Sequence, residues 1–389
     1  MRLPEKPPSD AEPFPLDLTI NNRADRWGDQ MEILQEALTF DDVLLLPCHS
    51  TVLPSEAEPT TTLSSKISLR IPILSAAMDT VTEAEMSIAM ASAGGLGIIH
   101  KSNTPERQAD LVREVKAKGF QVGAAIGIGD DGHSRAQMLI AAGVDLIAVD
   151  TAHGHSQLVI ECVDRLKQQN PNLSVMAGNI VTAEAARALA QAGADCVKVG
   201  VGPGSICITR IVAGVGMPQL TAIQQVAASL QGTNTRVIAD GGIRYSGDVV
   251  KALAAGAHAV MIGGLLAGTN EAPGDIQMFE GRAYKAYRGM GSSAAAQAGS
   301  ADRYFQHKQK GKFTEEGAEG FRPHTGSAED VLDQLIGGLR LGMGYLGART
   351  LTELQQNAQF VRVTGAGRFE SHVHSLAYAK DTANYKRVV

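Results

Sequence analysis

The chain has 389 residues, 44% of them hydrophobic and 20% charged, so it can bury a large core and is not a disordered polymer. Lys and Arg number 35 against 41 Asp and Glu, a formal net charge of −6; this argues against a nucleic-acid binder while leaving room for a local phosphate site. The longest apolar run, residues 259–268, is broken by glycines and falls well short of the roughly 20 residues a membrane helix needs, so no membrane partner is expected.

Residues 1–35 open with MRLPEKPPSDAEPFP, which lacks the apolar stretch of a secretory signal and reads as a flexible, proline-rich arm; order is expected from Glu36. From Ile71 onward, short β-rich runs alternate with helical patterns. Eight strands are predicted: IPILSAAM from Ile71, GLGIIH from Gly95, QVGAAIG from Gln121, LIAVDTAH from Leu146, SVMAGN from Ser174, CVKVGVG from Cys196, RVIADGG from Arg236 and AVMIGG from Ala259. Helical stretches between them repeatedly end in Ala-Gly before the next strand, as in AAGVDLI, QAGADCV and AAGAHAV, where glycine can take the left-handed conformation that stops a helix. Eight such modules predict an α/β fold, a closed (β/α)8 TIM barrel spanning residues 36–389.

Barrel enzymes carry their chemistry on the loops after the strands. Here those loops read DTAHGHS, GNIVT, GVGPGSICITR, DGGIR and GGLLAGT. Residues 270–330, rich in Gly and charge, are too long for an ordinary connection and read as a flap over the substrate. Cys48, Cys162, Cys196 and Cys207 lie far apart with no C-x-x-C spacing, which suits a reducing cytoplasm rather than a disulfide framework or a zinc site. In residues 200–209, GVGPGSICIT, three glycines permit close backbone approach to a ligand and Cys207 sits at the tip, a candidate nucleophile. The bland alternative, a small buried hydrophobe, stands for the other three cysteines. His153 and His155 lack a third metal ligand and read as hydrogen-bonding residues. No G-x-G-x-x-G opens a helix after the first strand, so a dinucleotide would not bind by that fingerprint.

These motifs resemble the IMP dehydrogenase family. GVGPGSICITRIVAGVGMPQ is similar to its catalytic loop, LTFDDVLLLP from Leu38 to its N-terminal signature and SAAMDTVTE from Ser75 to its first barrel loop. YRGMGS from Tyr287, DRYFQ from Asp302, EEGAEG from Glu315 and FVRVTGAGRFESHVH from Phe360 complete the set. The resemblance implies oxidation of IMP to XMP by NAD, in which Cys207 attacks C2 of the purine and leaves a covalent thioimidate. It implies hydrolysis of that adduct by water activated by Arg303, with Tyr304 and Thr209. Arginine's free pKa lies above ~12, so such a role demands a desolvated or strongly hydrogen-bonded setting. For the substrate it implies Ser205, Tyr287, Gly242, Gly263 and Gly264 at the phosphate, Asp240 at the ribose, and Met290, Gly291 and Glu316 at the purine edge, with Met78 and Gly289 as further substrate-binding residues. For NAD it implies Asp150, Asn179, Gly200 and Gly202. A potassium ion would be held by Gly202, Gly204 and Cys207, with Glu370, Ser371 and His372 reaching in from a neighbouring subunit of a homotetramer. The C-terminal segment, about 358–389, would thereby belong to the cation site.

The chain departs from the family pattern twice. A pair of CBS regulatory modules usually follows the second barrel helix, yet PERQADLVREVKAKG runs straight into QVGAAIG, so the modules are absent between about 116 and 121. Gly264 stands where dehydrogenases commonly have serine, as in GMP reductases, which also lack the modules; this keeps NADPH-dependent reduction of GMP as the alternative. DRYFQ and EEGAEG weigh against it, being flap motifs a reductase does not need. A purine-nucleotide-binding protein without turnover is a further alternative, disfavoured by the joint presence of Cys207, Thr209 and Arg303.

Overall fold

Successive side chains of a strand point to opposite faces, and here that alternation sorts the apolar residues into two cores, one inside a barrel and one around it. The computed structural model describes residues 35–304, 313–376 and Tyr385. Ala37–Val389 forms one compact unit, separate from Met1–Glu36; the expected N-terminal arm, Gln35 apart, lies outside the described residues.

The unit opens with β1 (Val43–Leu45) and the hairpin of β2 (Thr61–Ser64) and β3 (Ile67–Leu69). Then come β4 (Ile73–Ser75), α1 (Ala84–Ala93), β5 (Leu96–Ile99), α2 (Pro105–Ala117), β6 (Gly123–Ile126), α3 (Gly129–Ala141), β7 (Leu146–Asp150) and α4 (Gln157–Gln169). They continue as β8 (Ser174–Ile180), α5 (Ala183–Gln191), β9 (Cys196–Val199), α6 (Thr209–Val212), α7 (Gln219–Ser229), β10 (Arg236–Asp240), α8 (Ser246–Ala254) and β11 (Ala259–Ile262). Strands β4 to β11 close into a parallel barrel in sequence order, with β11 paired to β4. These are the eight strands predicted from the sequence, and the fold is the (β/α)8 barrel.

Leu74, Ile98, Ala125, Ala148, Met176, Cys196, Ile238 and Met261 fill the interior. Their neighbours Ile73, Ile99, Ala124, Val149, Val175, Val197, Ala239 and Val260 face the helices. The helices answer with apolar stripes; α4 buries Val159, Val163 and Leu166, a spacing of one helical face. Leu63, Ile67 and Leu69 of the β2–β3 hairpin join the interior core and plug its lower end, where Cys196 Sγ donates to the Leu63 carbonyl at 3.3 Å.

The Ala-Gly repeat ends three helices with glycine at positive φ: Gly143 (89°), Gly193 (94°) and Gly256 (109°). Two residues further on, one side chain fastens each turn to the strand beside it. Asp145 accepts from the Val122 N–H at 2.8 Å and pairs with Lys116; Asp195 accepts from the Val175 N–H at 2.8 Å and pairs with Lys167. In the third turn His258 Nδ1 takes the Val237 N–H at 3.1 Å, with Arg236 at its other ring nitrogen. Polar fastening at the lower rim leaves the opposite rim, at the strand C-termini, for chemistry.

Helix α2 reaches β6 through residues 118–122 alone, with no domain between them. Beyond the barrel, β12 (Gln277–Phe279), β13 (Arg282–Arg288) and β14 (Glu319–Pro323) form an antiparallel sheet, with α9 (Ser293–Ala295) between the last two. The stretch read from the sequence as a flap thus contains a three-stranded sheet whose β13 ends at the barrel mouth. Helices α10 (Ala328–Tyr345) and α11 (Leu351–Asn357) follow, then β15 (Phe360–Arg362), paired antiparallel with β1, and α12 (Gly365–Glu370). Among the described residues no helix is long and apolar enough to cross a membrane.

Candidate active site

Continuing the inward-facing series by one more step, from Ala148 to Asp150, Cys196 to Lys198 and Ile238 to Asp240, puts three charged residues in the top layer of the barrel. Lys198, with 3% of its side chain exposed, meets Asp150 at 3.1 Å and Asp240 at 2.8 Å and also contacts Asn179 Oδ1. Asn179 Nδ2 donates to Asp240 at 2.9 Å and to the Gly200 carbonyl at 2.7 Å. A Cβ on Gly178 would fall 2.7 Å from that of Lys198, so only glycine leaves the lysine room. One ammonium between two carboxylates holds both at fixed positions, as a buried charge must be held.

The loop after β9 crosses this layer. Gly200, at φ 150°, lies so close to β10 that a Cβ would meet the Asp240 carbonyl at 2.1 Å. Gly202, at φ 82°, packs on the Arg210 side chain, which donates to the Val201 carbonyl at 3.0 Å and ties the loop to itself. The Cys207 N–H donates to the Gly204 carbonyl at 3.1 Å, and Cys207 Sγ stands 3.2 Å from Thr209 Oγ1. Burial pushes the Cys162 thiol up to about 11 and Cys196 further still, which fits the bland reading of both; Cys207 alone of the four sits on the catalytic rim.

Two backbone segments flank the thiol. The Ile208 N–H donates to the Glu316 carbonyl at 2.9 Å, and the Ala318 N–H to the Ile206 carbonyl at 2.8 Å. The Glu316 N–H in turn donates to the Gly291 carbonyl at 2.8 Å. Gly289 lets this weave close, since a Cβ there would lie 2.9 Å from Gly317 Cα. Met290 is buried, and its carbonyl accepts from Ser300 Oγ at 2.5 Å.

Beside the thiol loop a second group gathers over the glycines after β11. A Cβ at Gly263 would meet Met78 Sδ at 3.1 Å and Tyr287 Oη at 3.3 Å; one at Gly264 would meet Ser205 Oγ at 3.3 Å and Tyr287 Oη at 3.5 Å. Burial raises the Tyr287 phenol above its ordinary value, against a hydrogen bond with Ser205. Gly242, at φ 85°, closes the group from the loop after β10 against Pro203 and Phe40. Uncovered backbone and two hydroxyls in one corner suit a phosphate.

The 3₁₀ turn Ala301–Tyr304 sits on the same rim. Its Arg303 contacts the Asp150 carboxylate, with 13% of the arginine side chain exposed, and the Arg303 carbonyl accepts from the Ala152 N–H at 2.9 Å. Arg303 Nε is buried and has no partner among the described residues. Tyr304 packs on Gly291, where a Cβ would lie 2.8 Å from its ring; burial raises its phenol, with Arg303 acting the other way.

The structure therefore brings together the residues expected at the thiol, phosphate, purine and dinucleotide positions. Glu370, Ser371 and His372 lie elsewhere, at the end of α12, where Ser371 Oγ bonds the Gly367 carbonyl and His372 packs near Tyr245 and Tyr385. No group of three or more His, Cys, Asp or Glu able to hold a metal occurs among the described residues. His153 and His155 are exposed, their rings 6.5 Å apart. Sequence reasoning missed Lys198, which the two-residue alternation through CVKV would have placed in the barrel interior.

A family model described as the IMP dehydrogenase / GMP reductase domain matches residues 37–374. The chain is similar to the inosine-5'-monophosphate dehydrogenase of Aquifex aeolicus (strain VF5), 42% identical over 481 positions covering 90% of this chain and 98% of that protein. It is 46% identical to that of Borreliella burgdorferi over 397 positions, covering 89% and 98%, and 40% identical to that of Escherichia coli (strain K12) over 484, covering 92% and 99%. An alignment of 481 positions exceeds the chain's own 389 residues, so the Aquifex protein carries a substantial segment with no counterpart here.

Proposed function

The chain belongs to the IMP dehydrogenase / GMP reductase family, and on that premise we propose that it oxidises IMP to XMP with NAD, in guanine nucleotide biosynthesis, as a barrel whose single domain lacks the CBS modules. The observation that carries this reading is the meeting of two groups on one rim: the Cys207–Thr209 pair at 3.2 Å and the Arg303 turn seated on Asp150.

In this reading the Cys207 sulfur gives up its proton to solvent and bonds to C2 of the purine. NAD, when bound, accepts the hydride that leaves C2. The product is a thioimidate between Cys207 and the purine. Water then adds to C2, the C–S bond breaks with its electron pair on sulfur, the sulfur takes a proton from solvent to restore the thiol, and XMP departs. Arg303 takes the proton of that water, with Thr209 and Tyr304 as its hydroxyl neighbours. Ser205, Tyr287, Gly242, Gly263 and Gly264 hold the phosphate, Asp240 the ribose, and Met290, Gly291 and Glu316 the purine edge, with Met78 and Gly289 as further substrate contacts.

The residues suit the dinucleotide in one respect that also orders the steps. Asp150, fixed from below by Lys198 at 3.1 Å, is the acceptor proposed for the nicotinamide ribose, together with Asn179, Gly200 and Gly202. Arg303 occupies that same carboxylate. The dinucleotide and the turn thus take one seat in succession, hydride transfer first and hydrolysis second. A potassium ion would be held by the carbonyls of Gly202, Gly204 and Cys207, and in a homotetramer Glu370, Ser371 and His372 of a neighbour would supply the other side.

Reduction of GMP is the second reading, on the strength of Gly264. The Ser205 and Tyr287 hydroxyls already stand within 3.5 Å of where its side chain would begin, so the corner keeps hydroxyl donors without a serine, and the glycine weighs little. The test is NADH absorbance with IMP, NAD and potassium, beside a cuvette of GMP and NADPH. A rise in the first is expected; a fall only in the second would replace this reading with the reductase.

A further inference from the structure

Two cations on the rim have no part in the chemistry above. Lys101, in the loop after β5, has 3% of its side chain exposed and contacts Asp302. Arg135, on α3, donates to the Asn103 carbonyl at 3.0 Å and to Gln108 Oε1 at 2.8 Å, and the Asp302 charge reaches it as well. Between them, in the loop after β6, Gly127 leaves a notch that the carboxylate fills: a Cβ there would lie 2.4 Å from Asp302 Oδ2 and 3.5 Å from Lys101 Nζ. Burial pulls the Lys101 ammonium below its ordinary value, and Asp302 acts against that. An ammonium this dry is costly without an anion, and the anion comes from the turn rather than from the barrel.

Asp302 is the residue next to Arg303. The turn is therefore held on one side by Asp302 in the Gly127 notch and on the other by the Ala152 N–H and Asp150. We infer that Lys101 is a positioning residue for Arg303: by receiving Asp302 in the Gly127 notch it sets the register in which Arg303 meets the reacting carbon. The inference rests on the function proposed above and adds to it a residue that touches neither substrate nor dinucleotide.

Misplacing a reacting group by about 1 Å can cost on the order of a hundredfold in rate. Lys101→Met should lower steady-state turnover of IMP and NAD by about tenfold to a hundredfold, while the first-turnover burst of NADH keeps its rate within about twofold. The purine adduct on Cys207 should then accumulate and be trappable by acid quench. Gly127→Ala closes the notch without altering Lys101 and should split the two phases in the same way. Lys101→Met with Asp302→Asn should be no slower than the slower single variant, because both remove one contact. A steady state unchanged in Lys101→Met, a burst that falls together with the steady state, or effects that multiply in the double variant would each overturn the inference. If the unaltered protein forms no NADH from IMP, the function beneath it fails first and the inference falls with it.

Discussion

The guanidinium of Arg303 lies against the carboxylate of Asp150, which Lys198 holds from beneath at 3.1 Å. One buried acid thus has a cation below it and a second above it, the second being the one proposed to give way to the dinucleotide. Arg303→Ala leaves Asp150 paired with Lys198 and free for the dinucleotide, so hydride transfer should proceed while hydrolysis stalls. Stopped-flow mixing with IMP and NAD should give a full burst of NADH followed by a steady state slower by roughly a hundredfold or more. Loss of the burst, or an unchanged steady state, would remove Arg303 from the hydrolytic step.

Cys207 is held at the tip of its loop by its own N–H to the Gly204 carbonyl at 3.1 Å, a contact a substitution of the side chain does not touch. Cys207→Ala should therefore bind IMP and produce no burst at all, with turnover down by at least about a thousandfold. Equilibrium binding of IMP separates this from unfolding. Turnover near that of the unaltered protein would mean another group attacks the purine.

Most of the barrel is legible in the sequence because each module repeats the same two signals, a β-rich run and an Ala-Gly stop, and the eight strands fall where those runs lie. The β12–β13–β14 sheet is not, since all three residues of β12 and four of five in β14 are exposed, so pairing rather than a buried face defines them. The thiol loop, Asp150, Asp240 and the Tyr287–Ser205 corner follow from motifs. Lys198 and Lys101 do not. A lysine in or beside a strand reads as a solvated charge; the alternation through CVKV is the one signal for Lys198, and nothing in the sequence pairs Lys101 with Asp302.

Gly264 gives a direct comparison of the two reaction readings. In Gly264→Ser the new Cβ would approach Ser205 Oγ at 3.3 Å and Tyr287 Oη at 3.5 Å. Both are hydroxyls at the ends of side chains that can shift by a few tenths of an ångström, so the variant should fold. One added hydroxyl contact is worth roughly 1–2 kcal/mol, and the KM for IMP should change by no more than about thirtyfold. Activity on GMP with NADPH should stay absent in both proteins. Loss of IMP oxidation in the variant, or GMP reduction by the unaltered protein, would make the glycine the determinant of the reaction.

The lower rim carries a pH dependence of its own. Asp145 and Asp195 fasten two of the turns, whereas the third uses His258, whose Nδ1 must stay unprotonated to accept the Val237 N–H. Burial, with Arg236 beside it, lowers His258 from 6.5 to about 4. Between those values the unfolded chain binds a proton that the native one refuses. The contribution to stability is therefore complete above pH 6.5 and drains away as the pH falls toward 4. From pH 7 to pH 5 this one group should account for about 2 kcal/mol of lost stability. His258→Asn retains a neutral acceptor for the same N–H and has no proton to gain, so its urea midpoint should fall less than that of the unaltered protein over the same interval. Equal losses in the two proteins would show that other groups set the acid sensitivity and that His258 fastens its turn without controlling it.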